Sequence, residues 1–122
     1  MDSARFENAN KLHNAGRIED AALEFHALAD ETDDPDEKAA IFANEHKCYC
    51  QLGWLDKANA LMRQIRSLPH QDKFVRMIVD FADACMMAQM ARKYIYQGLS
   101  RTCHYLGEFQ EEQKYLKLAQ SL

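Results

Sequence analysis

Cysteine and histidine are the residues of this chain whose spacing could support metal binding or nucleophilic chemistry. His46 and Cys50 are four residues apart, so they would share one face of a helix, where both side chains could bind zinc. Cys103 and His104 are adjacent and would point about 100° apart on a helix. Cys48 and Cys50 would point to nearly opposite faces, and no C-x-x-C pair is present. We therefore expect these thiols to serve as small apolar side chains rather than as metal ligands.

Enzyme activity would need a nucleophile and a base, or paired carboxylates, in one cleft. The chain contains no glycine-rich phosphate loop and no H-E-x-x-H sequence, which are the short motifs that would indicate such chemistry. We predict that the protein is not an enzyme, with no catalytic residues, no metal and no cofactor. The first residues include no apolar run, so they do not resemble a secretory signal. We therefore expect reduced thiols and a cytoplasmic location.

Composition and charge favour one globular, all-α domain spanning residues 1–122. Hydrophobic residues make up 48% of the chain and charged residues 28%, with only four glycines and two prolines, which favours helix throughout. The net charge is −4, which argues against nonspecific nucleic-acid binding. Charge is nevertheless uneven, because residues 1–34 carry nine acids against three bases, and residues 57–101 carry eight bases against three acids. The stretch 74–91 includes Arg76, Asp80 and Asp83 and is too polar for a membrane span.

Three glycines, at positions 16, 53 and 107, divide the chain into helical hairpins. The segment Asp34-Pro35-Asp36-Glu37 is the clearest helix start, because Asp34 can cap and Pro35 suits the first helical position. The predicted helices are about 2–15, 18–30, 35–52, 55–67 and 109–120. Between residues 71 and 106 the pattern fits either two helices, 71–90 and 91–106, or one long helix, since no breaker marks a joint.

The glycines align a common pattern in the hairpins. A hydrophobic residue follows each glycine by two positions, a residue at a close helix–helix approach follows three later, and a bulky residue follows four after that. These residues are Ile18, Leu55 and Phe109; then Ala21, Ala58 and, as a departure, Glu112; then Phe25, Met62 and Leu116. The pattern resembles the tetratricopeptide repeat (TPR) family. The resemblance implies a right-handed stack of antiparallel helical hairpins, about 2–31, 35–68 and 91–121, with an extra or extended helix at about 71–90.

The resemblance also implies a function, because the first helix of each TPR hairpin lines a concave groove that binds a peptide or helix of another protein. Asn10 and Asn44 match the two asparagines with which some family members hold a C-terminal carboxylate. Phe6, Tyr94 and Gly98, however, stand where that clamp has lysine or arginine, so we predict a different peptide or helix. Carried over by position, the predicted groove residues are Phe6, Asn10, His13, Asn14, Asn44, Lys47, Gln51, Gln97, Arg101, His104 and Tyr105.

The helix from Phe74 to Met90 supports an alternative function. It is apolar on most of its circumference, so we expect it to be buried from several sides. Its methionines fit core packing, or else an adaptable binding surface. In the alternative, the protein is a homodimerising assembly scaffold without a peptide ligand, and the dimer surface is formed by Phe74, Phe81, Met86, Met87 and Met90.

Overall fold

The computed structural model describes residues 1–121 and contains six α-helices in that range, with no β-strand. The all-α prediction is therefore confirmed. The helices are α1 (Ser3–Asn14), α2 (Ile18–Asp30), α3 (Pro35–Gln51), α4 (Leu55–Ser67), α5 (Lys73–Leu106) and α6 (Phe109–Gln120). Among these residues, no helix has the length and sustained hydropathy that crossing a membrane would require.

Local capping explains where α3 begins and where α1, α3 and α5 end. The Asp34 carboxylate accepts a hydrogen bond from the backbone N–H of Glu37 at 2.9 Å, with Pro35 at the start of α3. Because three short turns reverse the chain through a left-handed residue, each uses glycine, and the φ angles at positions 16, 53 and 107 are 81°, 76° and 74°. The predicted bounds of these helices therefore agree closely with the observed ones.

Packing follows the order of the chain. Each helix contacts the next one, and α3 additionally contacts α5. One hydrophobic core runs from α1 to the first half of α5. Ala21 of α2 and Ala58 of α4 are fully buried in it, and their small side chains allow neighbouring helices to approach closely. The second half of α5 pairs with α6 outside this core.

The segment after Pro69 forms one helix rather than two. α5 is 34 residues long, or about 51 Å at 1.5 Å per residue. Asp72 caps its start, because the Asp72 carboxylate accepts hydrogen bonds from the N–H groups of Phe74 (2.9 Å) and Val75 (3.1 Å). It ends at Gly107, which is left-handed. No proline interrupts it, so nothing forces a break near residue 90.

The expectation that the first half of α5 is buried from several sides is wrong. Val75, Val79 and Met86 face the core, whereas Phe74 and Phe81 are 76% and 73% exposed. The reason is that α3 and α4 contact α5 along one side only, and no other described element covers the opposite side along these turns. The first half of α5 does carry apolar side chains around most of its circumference, but many of them face solvent.

Candidate functional site

A groove with a volume of about 810 Å³ lies between α3 and α5. One wall comes from α3 and the other from α5, and Ser121 closes one end. Its lining consists of Ala43, Asn44, His46, Lys47, Cys50, Gln51, Met77, Ile78, Phe81, Ala82, Cys85, Gln89, Arg92 and Ser121.

At the beginning of α3, a carboxylate fixes the separation of the two walls. Asp36 Oδ1 accepts hydrogen bonds from the backbone N–H of Gln71 at 2.8 Å and of Asp72 at 3.0 Å. The hydrogen bond from Asp72 is the main reason that the pKa of Asp36 is lowered. Because Asp72 is itself the cap of α5, this contact joins the start of α3 to the start of α5.

Further along, two contacts join α3 to the middle of α5. His46 Nε2 lies 3.3 Å from the Sδ atom of Met86, with both side chains buried. Gln89 donates a hydrogen bond from Nε2 to the carbonyl oxygen of Cys50 at 2.9 Å. The start of α3 thus contacts the start of α5, and the end of α3 contacts the middle of α5. The two helices therefore run parallel, and these contacts hold them together along the groove.

α4 supports the α5 wall from the outside. Arg66 donates hydrogen bonds to Asp80 at 3.0 Å and to Asp83 at 2.8 Å. These two carboxylates raise the pKa of the Arg66 guanidinium, and the hydrogen bond to Asp83 contributes most. Their positions on α5 leave the opposite side of that helix to the groove.

The two walls differ in chemistry. The α3 wall presents polar groups from Asn44, Lys47 and Gln51, three of the predicted groove residues. Asn44 donates from Nδ2 to the carbonyl of Ala40 at 3.0 Å, which orients its amide along the helix. The α5 wall is apolar from Met77 to Cys85, with the side chain of Phe81 largely exposed, and becomes polar at Gln89 and Arg92. Asn44, Lys47 and Gln51 therefore meet a hydrophobic surface that the TPR resemblance did not indicate.

Charge in the groove is of one sign. Lys47 and Arg92 line it, and no Asp or Glu does among the residues that the structure describes. Neither cation takes part in an ion pair within residues 1–121. The groove therefore combines the apolar surface of Met77 to Cys85 with the positive charges of Lys47 and Arg92. This combination suits a ligand that carries apolar side chains and a carboxylate.

The predicted residues of α1 are only partly connected to this groove. His13 lies next to it, because its Nε2 atom is 2.6 Å from Oε1 of Gln51. Asn10 is half-buried and Asn14 is exposed on the same helix. Phe6 instead packs edge-on against Phe25, with ring centroids 5.8 Å apart, and belongs to the core boundary.

The predicted residues 97–105 lie outside the groove. Because α5 continues without a break, this segment is carried beyond α3 and pairs with α6. His104 faces α6, with Nδ1 3.0 Å from Oε1 of Glu112. Gln97 is half-buried, while Arg101 and Tyr105 are exposed. The four are therefore not brought together with Asn44 and Lys47.

The five residues of the predicted dimer surface are divided between surface and core. Phe74, Phe81 and Met87 are exposed, the last at 58%. Met86 is only 1% exposed and Met90 packs against the core. Including Met86 and Met90 in that surface is therefore wrong, because both lie on the side of α5 that faces α3 and α4.

The thiol of Cys50 and the imidazole of His46, which line the groove, lie in surroundings that favour their neutral forms. Burial, together with the nearby Cys85, raises the pKa of the Cys50 thiol to about 11. Burial also lowers the pKa of His46, whose Nδ1 atom is 3.9 Å from Cys50 Sγ. A raised thiol pKa and a lowered imidazole pKa both disfavour the thiolate–imidazolium pair that cysteine-based catalysis uses. Within residues 1–121, no three His, Cys, Asp or Glu side chains are grouped as metal ligands.

A buried acid on the side of α3 that faces α2 was not anticipated from the sequence. Glu45 is almost fully buried, and Tyr49 donates a hydrogen bond to its Oε2 atom at 2.6 Å. His26 of α2 approaches its Oε1 atom at 3.0 Å. Burial raises the pKa of Glu45. The four-residue spacing of Glu45 and Tyr49 could have indicated this contact, but only the fold shows that α2 covers it.

Comparison with known proteins gives no match, whether with family models, curated proteins or solved structures.

Proposed function

We propose that this protein is a TPR-like, non-catalytic interaction module of the cytoplasm that holds a peptide or helix of another protein in the groove between α3 and α5. One observation carries the proposal: an open groove of about 810 Å³ with a polar wall and an apolar wall. Grooves of this kind accept an amphipathic segment, whose apolar side chains contact one wall while its backbone or polar side chains meet the other. The free cysteines of the described chain are compatible with a reducing compartment.

The arrangement of the first helices supports the TPR-like part of the proposal. The contact between His13 and Gln51 joins α1 to α3 across 38 residues, and the contact between His46 and Met86 joins α3 to α5 across 40. Both separations are near the TPR period of roughly 34 residues. α3 packs beside α5, and α1 approaches α3 at His13 near its C-terminal end, an order that supports stacking of a repeated unit.

The chemistry of the walls narrows the ligand. Lys47 and Arg92 favour a segment with a carboxylate near one end, and exposed Met77 and Phe81 favour apolar side chains at helical spacing. A short acidic amphipathic helix satisfies both requirements.

A capture experiment tests this function. The wild-type chain and the double variant Asn44→Ala/Lys47→Glu are used as baits in native lysate, with circular dichroism to establish that both are folded. Arg63→Glu is the matched control, since it reverses an exposed charge on α4, which contributes nothing to the groove. A partner held by wild type and by the control but lost by the double variant supports the groove. Equal capture by all three contradicts it.

The exposed apolar side of α5 favours a second candidate function, a homodimerising scaffold. A monomeric protein rarely leaves several large apolar side chains exposed along one helix, because water would be displaced from them on association. Phe81→Asp should give a folded monomer if this side joins two copies, as measured by sedimentation. A variant that stays dimeric contradicts this candidate.

A further inference from the structure

The exposed side of α5 carries a regular seam of residues. In the first half of the helix it consists of Phe74, Ile78, Phe81 and Cys85, all exposed. Their spacings are four, three and four residues. This alternation keeps side chains in line along a helix that winds around another helix, as in a coiled coil.

The seam continues through the second half of α5 without a change of phase. Ala88 and Arg92 occupy its centre, and Ile95, Leu99, Thr102 and Leu106 follow with the same alternation of three and four. These residues are also exposed, Leu106 to 72%. The seam therefore runs the full length of α5, whereas α3, α4 and α6 contact the other sides of the helix.

The positions of the seam are symmetric about residue 90. If a second α5 lies antiparallel on the first, Phe74 faces Leu106 of the second copy and Phe81 faces its Leu99. Each such pair occurs twice, because under a two-fold axis a contact of Phe81 in one copy with Leu99 in the other is repeated with the copies exchanged. Large side chains in one half of the helix thus meet large side chains of the other half.

Arg92 decides the direction of the pairing. In a parallel pair, Arg92 would face Arg92 of the second copy in the middle of an apolar seam, which places like charges together. In the antiparallel pair it faces Ala88, whose small side chain leaves room for the arginine stem to reach solvent. Ala84 and Ala91, exposed on the edge of the seam, allow the two helices to approach closely at this point.

The area available matches that of a stable dimer. Besides the seam, exposed Met77 and Tyr105 flank its two ends. Weighting large apolar side chains of about 200 Å² by their exposed fractions gives roughly 1,000 Å² per copy, against about 800 Å² per partner in a standard interface. A patch of this size exceeds the largest apolar patch of most monomers.

We propose that the partner held against α5 is a second copy of this chain, paired through an antiparallel α5–α5 seam centred on residue 90. Ile78, Phe81 and Cys85 of the seam also line the groove, so the second half of the opposing α5 covers the apolar wall of each groove, and the dimer and a helix of another protein exclude each other there. This inference rests on the proposed function in one respect, that the α5 wall is a binding surface.

Thiol crosslinking tests the direction and register of the pairing. In a background in which Cys50 and Cys103 are changed to serine, Ile95→Cys places a new thiol opposite Cys85 of the second copy. Diamide then accepts two electrons and two protons, and the two thiols become one intermolecular disulfide. Without Ile95→Cys, the two Cys85 residues are ten residues apart along the antiparallel helices, roughly 15 Å, which is beyond disulfide reach.

We expect a covalent dimer only with Ile95→Cys. A dimer that crosslinks through Cys85 alone indicates parallel helices and overturns the proposal. Absence of crosslinking in both proteins, together with sedimentation at 14.1 kDa, also overturns it.

A charge exchange provides a second, independent readout. Phe81→Lys and Leu99→Glu should each weaken the dimer at least tenfold, and the double variant should recover most of that loss, because each lysine then faces a glutamate. In a parallel pair the double variant would be worse than either single one. Leu23→Glu, at an exposed position on α2, is the control for a charge placed elsewhere.

The outcomes separate this inference from the proposed function. If the wild-type chain is monomeric but still captures a protein through Lys47, the α5–α5 dimer is contradicted and the proposed function is not. If the antiparallel dimer crosslinks but protein capture does not depend on Lys47, binding of another protein in the groove is contradicted and the dimer is not.

Discussion

His46 Nε2 lies 3.3 Å from the Sδ atom of Met86, in the interior of the α3–α5 contact. The imidazole is 1% exposed, and it stands between the groove on one side and the hydrophobic core on the other. A neutral ring fits this position, whereas an imidazolium would have only the more distant Asp83 to offset its charge.

The protonation of His46 should therefore affect stability in mild acid. Burial lowers its pKa from 6.5, so below that pH the unfolded chain binds more protons than the folded chain, and stability falls as pH drops. We expect the urea midpoint of wild type to fall between about pH 7 and about pH 5 by more than that of His46→Gln, whose side chain does not titrate. Parallel midpoints for the two proteins would contradict the assignment.

Glu45 should have the opposite pH dependence. Burial raises its pKa above 4.5, so the folded chain binds the proton more strongly, and the contribution of this group to stability falls as pH rises through that raised value. Glu45→Gln cannot ionise. The difference in unfolding free energy, variant minus wild type, should therefore increase from about pH 4 to about pH 7. A difference that is constant with pH would show that Glu45 titrates normally.

Met86 and Met87 form a matched pair for locating the core. Met86→Ala should lower the free energy of unfolding by about 2–5 kcal/mol, because it leaves a cavity between α3 and α5. Met87→Ala should change it by less than about 0.5 kcal/mol, because that side chain is mostly in water. Urea denaturation of both variants gives the comparison, and equal effects would contradict the observed orientation of α5.

Two glycines on one helix should respond to alanine in opposite directions. Gly107 has φ of 74°, so Gly107→Ala should destabilise by about 1–2 kcal/mol. A Cβ at Gly98 would meet nothing closer than the side chain of Arg101 at 3.9 Å, so Gly98→Ala should stabilise by about 0.5–1 kcal/mol if α5 is continuous there. Thermal unfolding measures both. Destabilisation by Gly98→Ala would indicate that the helix is interrupted.

The bounds of the helices could be predicted because they depend on local chemistry. Asp34 followed by proline starts α3, and the left-handed glycines end α1, α3 and α5. Whether residues 71–106 form one helix could not be decided from the sequence, because the absence of a breaker permits a continuous helix without requiring one. In the structure α5 is continuous, with α3 packed against its first half and α6 against its second half.

The groove was predictable where it depended on register within one helix. Asn44, Lys47 and Gln51 follow helical spacing on α3 and do line it. Arg101 and His104 were assigned to it by assuming that a new hairpin begins near residue 91. Since α5 does not turn there, its end lies on another part of the molecule. Which apolar side of α5 faces water likewise depends on distant contacts, such as that of His46 with Met86.

The carboxylate of Asp36 accepts hydrogen bonds from the N–H groups of Gln71 and Asp72, which lie 35 and 36 residues further along the chain. Most other contacts join helices adjacent in sequence, so folding can start in one hairpin and spread to the next with short loop closures. α6 contacts only α5 to any extent and lies outside the main core. The C-terminal hairpin is therefore the part that can detach while the rest stays folded, and its amides should exchange with deuterium before those of α2 and α3.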